Sequence, residues 1–150
     1  MPSISRKRAL APPLVGWREW ASLPTFCDHK IKAKLDTGAK MSAIHAFRIE
    51  EFEEDDGLWA EFYLHPAQKR RRPEIFCRAP VKDRRLIRSS NGAVQDRLIV
   101  EATLQLGARR WPIEISLANR DDMGFRLLLG RDALRRRVTI DPARSFVLGD

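Results

Sequence analysis

Apolar and polar residues alternate in short runs along most of this chain, and this pattern constrains the fold more than any other feature. Between Lys30 and Leu35 every second residue is apolar, which is the period of a half-buried strand. The same reasoning predicts further strands at residues 15–21, 42–47, 58–64, 75–81, 96–106, 111–117 and 125–129. Many short strands separated by turn residues indicate a mainly β fold, either a small barrel or a sandwich.

Turn residues between these runs predict how the strands are connected. Asn91-Gly92 lies between two extended segments and is a strong hairpin signal. A surface hairpin loop is expected over residues 66–73, and a last hairpin over residues 138–148. Residues 132–137 form the one convincing helical stretch, and it is short.

The chain has 150 residues, which is the usual size of one domain. We expect residues 1–13 to be a flexible N-terminal tail and residues 14–150 to form that domain. No apolar run approaches the roughly 20 residues needed to span a bilayer. The basic residues near the N-terminus are not followed by the apolar segment of a signal peptide. These patterns predict a cytoplasmic protein without a membrane partner.

The charge is large and unevenly distributed. There are 28 basic and 20 acidic residues, for a net charge of +8. Six acids crowd residues 50–56, from Glu50 to Asp56, and we expect this segment to be a solvated loop. The strongly basic remainder suits a polyanion such as nucleic acid, an acidic peptide or an anionic surface. An ordinary solvated basic surface would have the same composition.

Metal and nucleotide signatures are weak in this sequence. Cys27 and Cys77 are distant from each other, and we expect both to be reduced. His29, His45 and His65 are scattered, and no HExxH helix is present. Since there is also no phosphate-binding GxxxxGK[ST] loop, we expect no ATP site, and we assign no metal ligands.

The segment Leu35-Asp36-Thr37-Gly38-Ala39 carries the most chemical information. It follows an alternating strand, and far downstream an apolar strand leads into Gly130, Arg131 and the short helix. The Asn-Gly hairpin lies between the two. By itself, Asp36 with Gly38 is also what a simple turn after a strand would contain. The order of the three features, however, resembles the subunit of retropepsin-like aspartic peptidases.

The resemblance is closer to one bacterial branch, the family labelled as ATP-dependent zinc proteases. It extends from about residue 14 to 149, and its motifs lie at residues 33–39, 88–97, 117–120, 123 and 128–131. That branch is retropepsin-like and is associated with the ATP-grasp ligase that adds glutamates to a small-subunit ribosomal protein. The resemblance implies a small closed β-barrel of the acid-protease type with one short C-terminal helix. It also implies an aspartic peptidase that acts as a homodimer on glutamate-rich peptides, such as an oligoglutamate tail.

The chemistry of the motif requires two copies of Asp36. Two carboxylates about 3 Å apart cannot both ionise, so they share one proton. One activates a water as general base, and the other protonates the substrate carbonyl. Because the chain has a single Asp-Thr-Gly motif, the second aspartate must come from another subunit across a two-fold axis.

Candidate site residues follow from the motif and the resemblance. Gly38 allows a tight turn, and Thr37 can lock the loop to its partner. The hairpin between Arg88 and Arg97 corresponds to the flap that closes over a bound peptide. The catalytic candidates are Asp36, Thr37, Gly38 and Ala39. The substrate-binding candidates are Lys34, Arg88, Asn91, Gly92, Arg97 and Arg120. The candidates for support of the fold or the dimer are Thr37, Gly130 and Arg131.

Other interpretations are open at this point. The arginines could form ordinary surface ion pairs, and Lys34 could face solvent. The whole chain could be a non-catalytic module that binds the ribosome, RNA or the glutamate ligase through Arg-rich loops. It could also be a zinc-dependent protease, as the family label says. Catalysis by an aspartic dyad requires the Asp36 carboxylate, whereas zinc catalysis would be lost with a chelator.

Overall fold

The computed structural model describes residues 11–67, 69–88, 92–120 and 124–150. Within these ranges the protein is mainly β, as the alternating pattern predicts. The strands are β1 Leu14–Ser22, β2 Lys30–Leu35, β3 Ser42–Glu54, β4 Gly57–Leu64, β5 Ile75–Arg88, β6 Val94–Leu106, β7 Arg109–Ala118, β8 Leu127–Leu129 and β9 Thr139–Ser145. A four-residue helix, α1, covers Arg131–Leu134. No helix in the described part of the chain is long and apolar enough to cross a membrane.

Of the expected N-terminal tail, residues 1–10 lie outside the described residues, while residues 11–13 are exposed and precede β1. The division into a tail and one domain therefore stays a prediction.

The nine strands form one sheet in the order β4-β5-β6-β7-β3-β8-β2-β1-β9. Two further pairings, β3 with β4 and β1 with β6, bring the sheet back onto itself. Its enclosed side carries the core, in which Ile31, Phe62, Leu104, Ile115 and Leu127 are completely buried. Burial of each such side chain contributes about 1.5–3 kcal/mol. The sheet thus encloses one hydrophobic core.

Strand β2 has the bounds that its sequence pattern predicts, and its pairing positions the site. Ile31, Ala33 and Leu35 face the core. On one side β2 pairs antiparallel with β1, and on the other it runs parallel to β8, with Leu35 opposite Leu129. Parallel neighbours end at the same edge of a sheet. The Asp36 loop therefore emerges next to the Gly130 segment.

The acidic segment was expected to be a loop, and this expectation is wrong. Residues 50–54 continue β3 and pair with β4, so that only Asp55 and Asp56 form the turn. Arginines of β5 offset part of the segment's charge: Arg78 forms an ion pair with Glu54, and Arg84 forms one with Glu51. Because these partners lie far ahead in the chain, local charge density gave no indication of them.

Two predictions near the C-terminus are also corrected. A hairpin with its turn at residues 141–144 was expected, but residues 139–145 form the single strand β9, which runs parallel to β1 at the end of the sheet. Pro142 is tolerated there because an edge strand need not donate every ladder hydrogen bond. The helix begins one residue earlier than predicted and ends at Leu134, since Arg135 leaves helical geometry and Arg136 has a φ of 65°.

Candidate active site

The Asp36 loop is a tight turn that is closed by its own backbone. The Asp36 amide donates to the Leu129 carbonyl at 2.8 Å, and the Ala39 amide donates to the Asp36 carbonyl at 3.1 Å. The Gly38 amide donates to Asp36 Oδ1 at 3.0 Å, and a Cβ at position 38 would lie 3.2 Å from that oxygen. Gly38 therefore allows the backbone to approach and orient the carboxylate.

A second segment supports this loop from behind. The Arg131 amide donates to the Ala39 carbonyl at 2.8 Å, and its guanidinium Nη1 donates to the Thr37 carbonyl at 2.9 Å. Gly130 packs so closely that a Cβ there would lie 2.6 Å from the backbone of Met41. Gly130 and Arg131 thus support the Asp36 loop. Thr37 itself is exposed.

Six of the sequence candidates share one cleft of about 390 Å³. Asp36 and Gly38 line its floor together with Ala39. Arg97 and Arg120 lie on its wall, and Arg88 comes from the β5–β6 hairpin. Apolar lining comes from Met41, Ala43, Ile87 and Leu128. The cleft therefore combines a carboxylate that can act on a peptide bond with cations that can bind a carboxylate.

Arg97 is the most constrained of these cations. Its residue is only 6% exposed, and the guanidinium donates to Gln95 Oε1 at 3.0 Å and to Ser116 Oγ at 3.3 Å. Burial, reinforced by the nearby positive charge of Arg120, lowers the pKa of Arg97. No ion pair involving Arg97 occurs among the described residues. A buried charge held by neutral groups is costly, and an anionic ligand would relieve that cost.

A chain of buried hydrogen bonds joins this wall to the floor. Ser116 Oγ accepts from Arg97 and donates to the Ser42 carbonyl at 3.1 Å. Ser42 Oγ in turn accepts from the Gly130 amide at 3.0 Å. The position of Arg97 is therefore tied to the segment that supports the Asp36 loop. Neither serine was among the sequence candidates, because an isolated serine in a strand has no distinguishing local pattern.

The remaining candidates are placed differently. Arg88 is exposed and donates to the Gly92 carbonyl at 3.1 Å, which closes the base of the hairpin tip. Asn91 lies outside the described residues. Lys34 is half-buried on the face of β2 opposite to Ala33 and Leu35, and it is not among the residues that line the cleft. The β5–β6 hairpin expected for the flap is present, with Arg88 opposite Val94.

His45 has a role that the sequence did not reveal. It is 1% exposed, its Nδ1 accepts the Arg120 amide at 3.2 Å, and its ring stacks on His65 with centroids 5.5 Å apart. His45 thus positions the backbone of Arg120, and it does not line the cleft with Asp36. A lone histidine in a strand carries no local signal for such a contact.

The donor set does not fit the zinc ion of the family label. Among the described residues, no group of three or more His, Cys, Asp and Glu side chains could hold a metal. Cys27 and Cys77 are free thiols. Burial, with a smaller contribution from Cys27, raises the pKa of Cys77 to about 12, and a protonated thiol is a poor metal ligand.

Comparison with known proteins agrees with this geometry. The family described as "Retropepsin-like aspartic endopeptidase RimB" matches residues 14–149. The chain belongs to this RimB-like family. Membership confirms the resemblance that the Asp-Thr-Gly and Gly-Arg motifs carry.

Relatives and one solved structure extend the comparison. A Shewanella halifaxensis protein named "Probable alpha-L-glutamate ligase" is 42% identical over 136 residues, which are 91% of this chain and 30% of that protein. A Desulfotalea psychrophila protein of the same name is 43% identical over 141 residues, 94% of this chain and 30% of that protein. The chain thus spans about 30% of the length of the curated relatives it matches. The crystal structure of a Legionella pneumophila protein of unknown function superposes on this chain with a TM-score of 0.73 at 27% sequence identity. The match covers 91% of this chain and 98% of the other chain.

Proposed function

We propose that this chain is an aspartic endopeptidase, that it acts as a homodimer, and that it cleaves glutamate-rich peptides. The observation that carries the proposal is the shared cleft, in which the Asp36 carboxylate lies with Arg97 and Arg120. Family membership supports the peptidase class. The sheet that returns onto itself supports the closed acid-protease barrel, which we infer as the finer description of the fold.

The homodimer follows from the chemistry. The chain supplies one Asp-Thr-Gly motif, and the mechanism needs two carboxylates that share a proton. In the proposed dimer one Asp36 accepts a proton from water while the other protonates the scissile carbonyl oxygen. The resulting tetrahedral intermediate collapses as the leaving nitrogen takes up a proton. The hydrogen bonds that backbone amides donate within the Asp36 loop keep each carboxylate oriented for these proton transfers.

The acidic substrate is supported by charge. Arg97 is buried in the wall of the cleft without an acidic partner among the described residues, and Arg presents a planar fork that matches a carboxylate. Arg88, at the mouth of the same cleft, adds a third cation. We therefore assign substrate binding to Arg97 and Arg120, with Arg88, Asn91, Gly92 and Lys34 as further candidates.

A glutamate ligase is the proposed functional partner, and a glutamylated ribosomal protein the proposed source of substrate. The matched relatives bear the name of such a ligase, and most of their length lies outside the matched region. A ligase that adds glutamates and a peptidase that removes them would form a reversible pair. We propose that neither zinc nor ATP is needed by this chain, since its described donor set does not suit a metal. The cytoplasmic location expected from the sequence belongs to the same proposal.

The direct test is cleavage of poly-α-L-glutamate by the purified protein in EDTA, with wild type beside Asp36→Asn. We expect wild type to shorten the polymer. The Asn variant should be slower by at least about a thousandfold, because an amide cannot act as the general base, a role typically worth 10²–10⁴-fold on its own. Cleavage that survives in Asp36→Asn, or that EDTA abolishes in wild type, would refute the aspartic mechanism.

A non-catalytic binding module is the second candidate, because the net charge of +8 and the buried Arg97 also suit simple capture of a polyanion. Under that hypothesis wild type and Asp36→Asn would bind the acidic polymer equally and neither would cleave it. Binding would also weaken steeply with salt.

A further inference from the structure

The outer face of strands β1 and β2 carries four cations, which we call the cationic track: Arg18, Lys30, Lys32 and Lys34. Directly opposite residues of the two strands share a face, and the register pairs Arg18 with Lys34, Trp20 with Lys32 and Ser22 with Lys30. Two like charges thus lie directly across from each other, an arrangement that destabilises a sheet. The acid of β1, Glu19, faces the interior and is completely buried.

The charges of the track are not neutralised within the part of the chain that the structure describes. Some other basic residues of the sheet do form ion pairs, as Arg78 does with Glu54 and Lys82 with Glu101. Of the four track residues, none forms an ion pair with any part of the chain that the structure describes. Opposite Arg18 on β9 lies the neutral Ser145, which accepts a hydrogen bond from it at 3.1 Å.

An aromatic platform holds two of these charges in place. Trp20 stacks on Phe146 with centroids 5.6 Å apart. Lys32 Nζ lies 5.6 Å from the Trp20 ring, and the Arg18 guanidinium lies 5.2 Å from the Phe146 ring. Cation–π contacts of this kind fix the position of a charge without neutralising it. Because the two rings stack on each other, each has one face that a nucleobase cannot reach.

The platform is itself anchored to the fold. The Phe146 amide donates to the Arg18 carbonyl at 2.9 Å. The buried Glu19 carboxylate accepts from the amides of Gly16 at 2.6 Å, Val147 at 2.9 Å and Leu148 at 3.1 Å. These hydrogen bonds therefore hold residues 146–148 against β1, and in this way they position the Phe146 ring next to the cations.

We propose that the cationic track is a binding surface for an extended acidic polypeptide segment, outside the catalytic cleft. Successive side chains on one face of β2 are about 6.6 Å apart, the same repeat that alternate residues of an extended peptide have. The track also runs along β2, which ends one residue before Asp36, so Lys34 is two residues from the catalytic candidate. It would hold the part of a long acidic chain that protrudes from the cleft, and in this respect it rests on the proposed function.

The test measures binding rather than cleavage, in the Asp36→Asn background. Two labelled probes are used, a short one of about four α-linked glutamates and a long one of about twelve, which when extended reaches about 40 Å. The track variant is Lys30→Gln with Lys32→Gln, and the matched control is Lys69→Gln with Arg72→Gln, two exposed residues of the β4–β5 loop. Fluorescence anisotropy at low salt gives the dissociation constants, and circular dichroism checks the fold.

We expect the track variant to bind the long probe about three- to tenfold more weakly, in line with two exposed charge pairs. Its affinity for the short probe should be unchanged, the control should match the parent, and salt should remove the difference. The proposal would be overturned if the track variant and the control lose equal affinity for the long probe, or if the track variant loses none. The proposal would also be overturned if single-stranded RNA of similar length binds more tightly than the long probe and if the substitutions of Lys30 and Lys32 weaken that binding.

The test also separates this proposal from the proposed function. If wild type cleaves no acidic polymer while the long probe still depends on Lys30 and Lys32, the track stands and the peptidase assignment falls. If wild type cleaves the polymer and the two lysines have no effect, the track falls and the peptidase assignment stands.

Discussion

The floor and the wall of the candidate cleft are built in opposite ways. The floor, the Asp36 loop, is held by backbone hydrogen bonds and by the Arg131 guanidinium on the Thr37 carbonyl. The wall places a buried guanidinium, Arg97, among neutral partners. The contacts of the floor fix the geometry of the Asp36 loop. The wall instead keeps a buried charge, which lowers the stability of the fold. Substitutions on the floor should therefore affect folding first, and substitutions on the wall should affect ligand binding first.

Gly130→Ala should have the largest effect on stability. Because the added methyl would meet the Met41 backbone at 2.6 Å, we expect the free energy of unfolding to fall by about 3 kcal/mol, the upper range of overpacking effects. Urea denaturation measures it. Gly124→Ala is the control, since a Cβ there meets nothing within 4 Å. If Gly130→Ala is as stable as its control, then close packing does not support the floor.

Arg97→Met should separate binding from stability. We expect affinity for an acidic peptide to fall about ten- to a hundredfold, since charge-assisted hydrogen bonds contribute about 1.5–3 kcal/mol. The free energy of unfolding should stay the same or rise, because an apolar side chain replaces a buried charge without an acidic partner. Calorimetric titration and urea denaturation measure the two quantities. Arg84→Met, which removes an exposed ion-paired arginine, is the matched control. A destabilised Arg97→Met with normal affinity would make Arg97 purely structural.

Glu54→Gln should have the smallest effect. Its ion pair with Arg78 is exposed, so its loss should change the free energy of unfolding by less than about 0.5 kcal/mol. Peptide affinity should not change, since neither residue lines the cleft. A thermal melt and a binding titration check this expectation. A large loss of affinity would mean that the paired surface, like the wall, takes part in recognition.

The sequence predicted what local patterns encode. Strand β2 was predicted with its observed bounds because apolar alternation and a turn motif both lie within ten residues. The Asp36 loop and the Gly130 segment were predicted because short motifs mark them. Burial of Arg97 could not be predicted, because it depends on Ser116 and Gln95 in the assembled sheet.

Two of the wrong predictions share one physical cause. Residues 50–54 looked like a loop because their charges repel locally, but Arg78 and Arg84 offset that repulsion in the fold. Residues 141–144 looked like a turn because they contain Asp-Pro, but β1 offers them an open edge more than a hundred residues away in sequence. In both places a contact remote in sequence overrides a local preference. The contact of His45 with Arg120 was not predicted for the same reason, since the two residues are 75 positions apart.

The parallel pairing of β2 with β8 also determines when the site can form. Asp36 is synthesised early, yet its amide partner Leu129 and its support Arg131 come more than ninety residues later. During translation a nascent chain therefore carries the aspartate long before it can carry a cleft, and such remote pairings form late in folding. By the time β8 arrives, the acidic residues 50–54 have had time to pair with β4. Under the proposed function, the acidic segment of the protein itself would thus be held in a paired strand before the cleft exists.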